Sequence, residues 1–195
     1  MGLSLQKGQS LSLTKKDGGA LSKTRLGLGW DSAAPAKRGL FGKKTAEVDL
    51  DASAIFFDAN GNAVDQVWYG QLASKDGSAK HTGDNLTGAG EGDDEVILVD
   101  LSAVSPAVQN IVFVISSYSR QTFDQVQNAF CRLIDDSTPG SPEIARYQLT
   151  DAGTHTAMVM AKVGREGSGW SFKAIGERAQ GRTVKDLIPT AARTL

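Results

Sequence analysis

Apolar residues in this 195-residue chain come in short runs separated by turn residues, among them 22 glycines. That pattern favours many strands with tight connections, and no stretch approaches the roughly 18 apolar residues of a membrane-crossing helix. Leu3, Leu5, Leu11 and Leu13 alternate with polar residues around Lys7-Gly8 and predict two short strands. Leu26, Leu28 and Trp30 alternate again, which puts Asp31 just past the end of a third strand. Val48 to Asp58 and Val64 to Tyr69 flank Asn60-Gly61, a dipeptide suited to a hairpin turn because both residues tolerate positive φ. The same turn offers Asp58, Asn60, Asn62 and Asp65 as oxygen ligands. An EF-hand loop would need a Glu where Tyr69 stands, and flanking helices, so the segment reads as a turn.

Val96 to Leu101 and Ile111 to Ser117 are strongly β-prone and are expected at the centre of a sheet. Phe123, Val126, Phe130 and Leu133 have helical spacing and predict one long helix, with Thr122 as N-cap and Asp124 in the first turn. Thr138 to Pro142 ends that unit. Ile144 to Leu149, Thr156 to Val163 and Trp170 to Ile175 follow as strands, the last two joined by a turn from Gly164 to Gly169. A terminal helix is expected from Thr183, with Val184, Leu187 and Ile188 facing inward until Pro189 disrupts it. About nine strands without βαβ alternation predict an all-β fold. The architecture expected is an antiparallel β-sandwich of two sheets with one or two peripheral helices, in a single domain over residues 1–195.

Charge narrows the function. A net charge of −1 argues against bulk attraction to nucleic acid, although Lys37, Arg38, Lys43 and Lys44 form a basic stretch within residues 35–46. The lone Cys131 excludes an internal disulfide, and its setting in FDQVQNAFCRLID predicts an inert packing role. The first residues show no secretory apolar run, so a soluble cytoplasmic protein is expected.

Residues 83–95, GDNLTGAGEGDDE, carry the strongest chemical signal. Asp84, Glu91, Asp93, Asp94 and Glu95 lie there with Asn85 and Thr87, four glycines and no Lys or Arg. Two carboxylates about 4 Å apart repel by roughly 1 kcal/mol in water and about 4 kcal/mol near a protein surface. A hard divalent cation reverses that sign, and many oxygens with loose geometry suit Ca2+ better than Mg2+. The run feeds into EVILVDL, an apolar strand that would hold one end of it in place. Ligands from elsewhere could complete a shell. Asp49 and Asp51 share a strand face while Leu50 turns to the core, and Asp31 and Asp100 stand at strand ends.

Taken together, KGQSLSL, LGLGWD, VDLDASAIFFD and HTGDNLTGAGEGDDEVILVDL resemble the TerD-domain family of tellurite-resistance and general stress proteins. The resemblance covers essentially the whole chain. It implies a β-sandwich that binds Ca2+ and has no established catalytic activity. It also implies that Asp31, Asp49, Asp84, Asn85, Asp93, Asp94 and Glu95 line one or two adjacent calcium sites, with Asp51 and Glu91 as weaker candidates. Protein partners in a stress-resistance complex near the inner membrane face, with peripheral membrane association, follow from the same resemblance. No nucleic acid or small-molecule substrate is expected.

The competing reading is a metal-dependent hydrolase using the same carboxylates to hold cations that activate water. It lacks a nucleophile–base pair. His81 beside the acidic run is expected to be solvated, His155 stands at a turn, and Ser116, Ser117 and Ser119 near Arg120 have no basic partner. Direct capture of a tellurium oxyanion needs a positive or N–H-rich pocket, which an acidic run opposes.

Overall fold

The computed structural model describes residues 2–15, 18–32, 49–83, 92–149 and 152–195, with Asp31 and Ser32 described in their backbone alone. Its strands are β1 (Leu3–Leu5), β2 (Ser10–Ser12), β3 (Lys23–Ser32), β4 (Leu50–Phe57), β5 (Ala63–Val67) and β6 (Ala79–His81). They continue as β7 (Glu95–Asp100), β8 (Asn110–Ser117), β9 (Val126–Asp135), β10 (Glu143–Gln148), β11 (Ala157–Glu166) and β12 (Gly169–Ala179). One helix, α1 (Val184–Ala192), follows. The first sheet has the order β1-β10-β9-β3-β7-β6 and the second β2-β12-β11-β8-β4-β5. All pairings are antiparallel except that of β1 with β10. The expected sandwich is therefore present, with more strands than the sequence suggested and, among the described residues, one short helix on its outside.

The interior between the sheets is filled by one face of each strand. Leu26, Leu28 and Trp30 of β3 meet Leu50, Ala52 and Phe56 of β4 across the core. The opposite face of the second sheet is apolar too. There Ile55, Phe57, Val112 and Val159 pack under Val184, Leu187 and Ala191 of α1. Strands β4 and β8 are thus buried on both faces, which explains their near-continuous apolar runs. Strand β8 is central in its sheet as expected, whereas β7 lies second from an edge, beside the short β6.

The expected helix through Phe123, Val126, Phe130 and Leu133 is instead a single 3-10 turn (Phe123–Gln125) leading into β9. The inward residues are Ala129, Cys131 and Leu133, at a strand's spacing of two. Phe130 points outward, over Gly29, and its presence on the wrong face produced the helical spacing. Asn128, at φ 52, absorbs the register shift with β3 between Gly29 and Asp31. Cys131 is fully buried as expected, though on a strand, and burial pushes its thiol up to about 12.

Three smaller expectations also change. Strand β3 runs to Ser32, so Asp31 lies inside it, opposite Gln127. In the β4–β5 turn only Gly61 takes positive φ. Asp58 Oδ1 holds the turn by accepting the Asn60 and Asn62 N–H groups, at 2.8 Å each. Helix α1 does not stop at Pro189. Leu187 and Ala191 on either side of it are fully buried, and their packing offsets the one intrahelical bond a proline cannot make. The basic stretch 35–46 lies outside the described residues.

Candidate functional site

Strand polarity gathers one end of the sandwich. The end of β3, the end of β6 and the starts of β4, β7 and β9 all meet there, and both the basic and the acidic stretches connect strands at this end. Asp84, Asn85 and Glu91 lie outside the described residues, as does the side chain of Asp31. The junction of the acidic run with β7 is described.

Its three consecutive carboxylates take three different directions. Asp93 lies on the outer face of the first sheet, where a methyl at Gly27 would coincide with its carboxyl. Arg132, opposite Gly27 on β9, donates to it twice: Nε to Oδ1 at 2.6 Å and Nη2 to Oδ2 at 3.1 Å. The Asp93 hydrogen bond holds the Arg132 guanidinium above its usual range. Asp94 is stitched to β3, its N–H donating to the Leu28 carbonyl at 2.7 Å and its Oδ2 accepting the Trp30 N–H at 2.9 Å. Glu95 points inward and is fully buried in its side chain. Its Oε2 accepts the Ala52 N–H of the second sheet at 2.5 Å and stands 3.4 Å from His81 Nε2.

His81 is therefore not solvated. It is buried on β6, and its Nδ1 accepts the Gly83 N–H at 3.1 Å. The Nδ1 acceptor role leaves the Nε2 proton facing Glu95. Glu95 thereby links the two sheets, capping a β4 amide at the point where β5 has not yet begun.

Asp51 is buried on the outer side of β4, opposite Ser116, while Leu50 and Ala52 fill the core as the alternation requires. The Asp49 N–H donates to Gln121 Oε1 at 3.4 Å. Asp100 closes β7 and accepts the Ser102 hydroxyl at 2.5 Å. His155 is buried with its ring stacked on Phe123, centroids 4.6 Å apart. Among the described residues no three His, Cys, Asp or Glu side chains converge as a metal shell. The described carboxylates fit a cation in part only, since Asp93 and Glu95 are already committed to other partners.

Sequence reasoning did not find Arg132 or the inward turn of Glu95. The signal was present in LGLGW. Two glycines at alternate, outward positions of a strand mark a surface over which neighbouring groups lie flat.

The described residues thus form a two-sheet sandwich in which an acidic, glycine-rich stretch of sequence leads into β7. The chain belongs to the TerD-domain family, whose model matches residues 1–189. It is 42% identical over 190 residues to tellurium resistance protein TerZ of Serratia marcescens, covering 95% of this chain and 94% of that one. It is 40% identical over 201 residues to stress response protein SCP2 of Bacillus subtilis (strain 168), covering 96% and 98%. Its fold matches the crystal structure of a homologue of telluride resistance protein (TerD) from Streptomyces coelicolor A3(2). That match has a TM-score of 0.68 at 22% identity and covers 86% of this chain and 95% of that chain. The resemblance read from the sequence motifs is borne out, and the chain is a TerD-family protein of the tellurium-resistance and stress-response group. The relatives' names are those of resistance and stress proteins, not of enzymes.

Proposed function

We propose that this protein is a non-enzymatic calcium-binding module of a stress response. In this reading the acidic segment 83–95 takes up one or two Ca2+ and presents the loaded end of the sandwich to protein partners. The observation that carries the reading is the fixing of Asp94 across two bonds to β3. Asp94 belongs to a lysine- and arginine-free run of five carboxylates, and these two bonds fix the end of the run that enters β7. Asp31, Asp49, Asp84 and Asn85 are the residues proposed to share the cation with Asp94, through hard oxygen donors. Neutralising so many charges would change the surface potential of this end, and partner docking or peripheral attachment at a membrane would respond to that change. The hydrolase reading weakens, because both histidines are buried and His81 Nδ1 already accepts the Gly83 N–H.

The test is a calorimetric titration of chelator-stripped protein with Ca2+ and with Mg2+ at about 0.15 M KCl. Saturable Ca2+ binding, lost in Asp94→Asn and weak for Mg2+, is expected. At 100 times Kd, Ca2+ should also add about 2.7 kcal/mol of stability. Absence of both heat and thermal shift in the unaltered protein would sink the reading.

A further inference from the structure

The tandem Asp93-Asp94-Glu95 looks in sequence like three equivalent ligands, but the structure gives each a separate environment. We propose that Arg132 is a positioning residue for the acidic segment. It holds Asp93 as an anchor on the outer face of the first sheet rather than leaving it as a cation ligand. This inference rests on the calcium reading for its function, though its geometry stands without it.

Four observations carry it. Both Asp93 oxygens are taken by the Arg132 fork, a paired geometry that a guanidinium supplies and a cation in the same place would have to displace. The side chain of Asp93 is only 8% exposed, and the absence of a Cβ at Gly27 is what lets its carboxyl lie against β3. Arg132 is itself held from the other side, its Nη1 standing 3.4 Å from Glu143 Oε2. Glu143 in turn accepts Arg146 Nε at 3.1 Å and Nη2 at 2.9 Å, and the Arg146 guanidinium covers the Phe130 ring at 4.2 Å.

Asp93, Arg132, Glu143 and Arg146 therefore form a charge-balanced row of two acids and two arginines. Recruiting Asp93 to Ca2+ would leave two guanidinium groups sharing one carboxylate, with a divalent cation added beside them. Leaving the row intact costs nothing and fixes the backbone at Gly92 to Asp94. Asp94 is then presented in one place, as outer partners of a metal site present the ligands they hold.

The two roles of Asp93 predict opposite signs. If Asp93 is an anchor, Arg132→Ala loosens the segment and weakens Ca2+ binding by about tenfold or more, the usual scale for a lost outer partner. If Asp93 is a ligand, the same change removes a competing cation and tightens binding. The experiment titrates Ca2+ into the full chain as wild type, Arg132→Ala, Arg132→Lys and Glu143→Gln, and follows amide hydrogen exchange at residues 92–94 without Ca2+. Weaker Ca2+ binding and faster exchange at Asp94 in Arg132→Ala are expected. Arg132→Lys should fall between, because it keeps the charge and loses the fork, and Glu143→Gln should weaken binding less than Arg132→Ala, because it loosens one hold on the guanidinium and leaves the fork on Asp93 in place.

Tighter or unchanged Ca2+ binding in Arg132→Ala would overturn the proposal. If the unaltered protein takes up no Ca2+, the calcium reading fails by itself and exchange alone decides: faster exchange in Arg132→Ala upholds the anchor, unchanged exchange removes it. Should Arg132→Ala fail to fold, Arg132→Lys carries the same comparison.

Discussion

The outer faces of the two sheets solve the same problem in opposite ways. That of the second sheet is apolar and is covered by α1, so Ile55, Phe57, Val112 and Val159 lie in a second small core. That of the first sheet has no helix over it among the described residues. It is covered by its own side chains, the Asp93–Arg132–Glu143–Arg146 row and Phe130 over Gly29. The covered face draws its energy from area removed from water, the uncovered one from paired charges of modest net worth. The difference teaches where robustness and adjustability reside. The packed face resists change, and the charged face, which reaches the acidic segment through Asp93, rests on pairings that a single substitution can undo.

The comparison is broken most strongly from the apolar side. Leu187→Ala in α1 deletes a fully buried side chain and should cost about 2–5 kcal/mol in denaturant unfolding. A loss under about 1 kcal/mol would mean that the helix is not an integral cover. A smaller effect is expected on the charged side. Gly27→Ala places a methyl where the Asp93 carboxyl lies, and the pinned carboxyl must leave Arg132, for about 1–3 kcal/mol. Loss of the Asp93–Arg132 contact by NMR, with the sheets otherwise unchanged, would sharpen the contrast.

The smallest effect lies away from both faces, at Asp76. Burial pushes its carboxyl up, but hydrogen bonds from Ser78, Ser105 and Ser74 outweigh that and bring it from 3.8 to about 2. Because the folded value is the lower one, these bonds stabilise fully above about pH 4 and are lost as pH falls toward 2. Melting temperatures of wild type should therefore decline through that window more steeply than those of Asp76→Asn. Parallel curves would show that the turn does not depend on this carboxylate.

The same contrast explains what the sequence disclosed. Strands β4 and β8, buried on both faces, announce themselves as unbroken apolar runs, and β3 by the alternation of Leu26, Leu28 and Trp30. Strand β9 was misread because its outward Phe130 broke the alternation and completed a helical spacing with Val126 and Leu133. Phe130 is outward because Gly29 leaves room for it and Arg146 lies over it, and neither fact is local to β9. At the site, the acidic run was plain from composition. Its division was not, because the partners of Asp93 and Glu95 lie on other strands: Arg132 on β9 and His81 on β6 of the same sheet, and Ala52 on β4 of the other. The burial of His81 was hidden for the same reason. Its Glu95 partner belongs to the neighbouring strand β7.

The margin of the sandwich opposite β5 and β6 has a consequence for synthesis. Strand β1 lies beside β10, with Leu3 opposite Ala145, and β2 beside β12, with Leu11 opposite Phe172. These two strands thus leave the ribosome with partners that emerge more than a hundred residues later. At about 5–20 residues per second, Leu3 and Leu11 wait roughly ten seconds or more for a place in a sheet. Neither sheet can close its margin before that moment. Pairings this far apart in sequence also slow folding of the finished chain. In a crowded cell under stress, that interval is when the chain is most exposed to wrong partners, and a chaperone would have most reason to attend it.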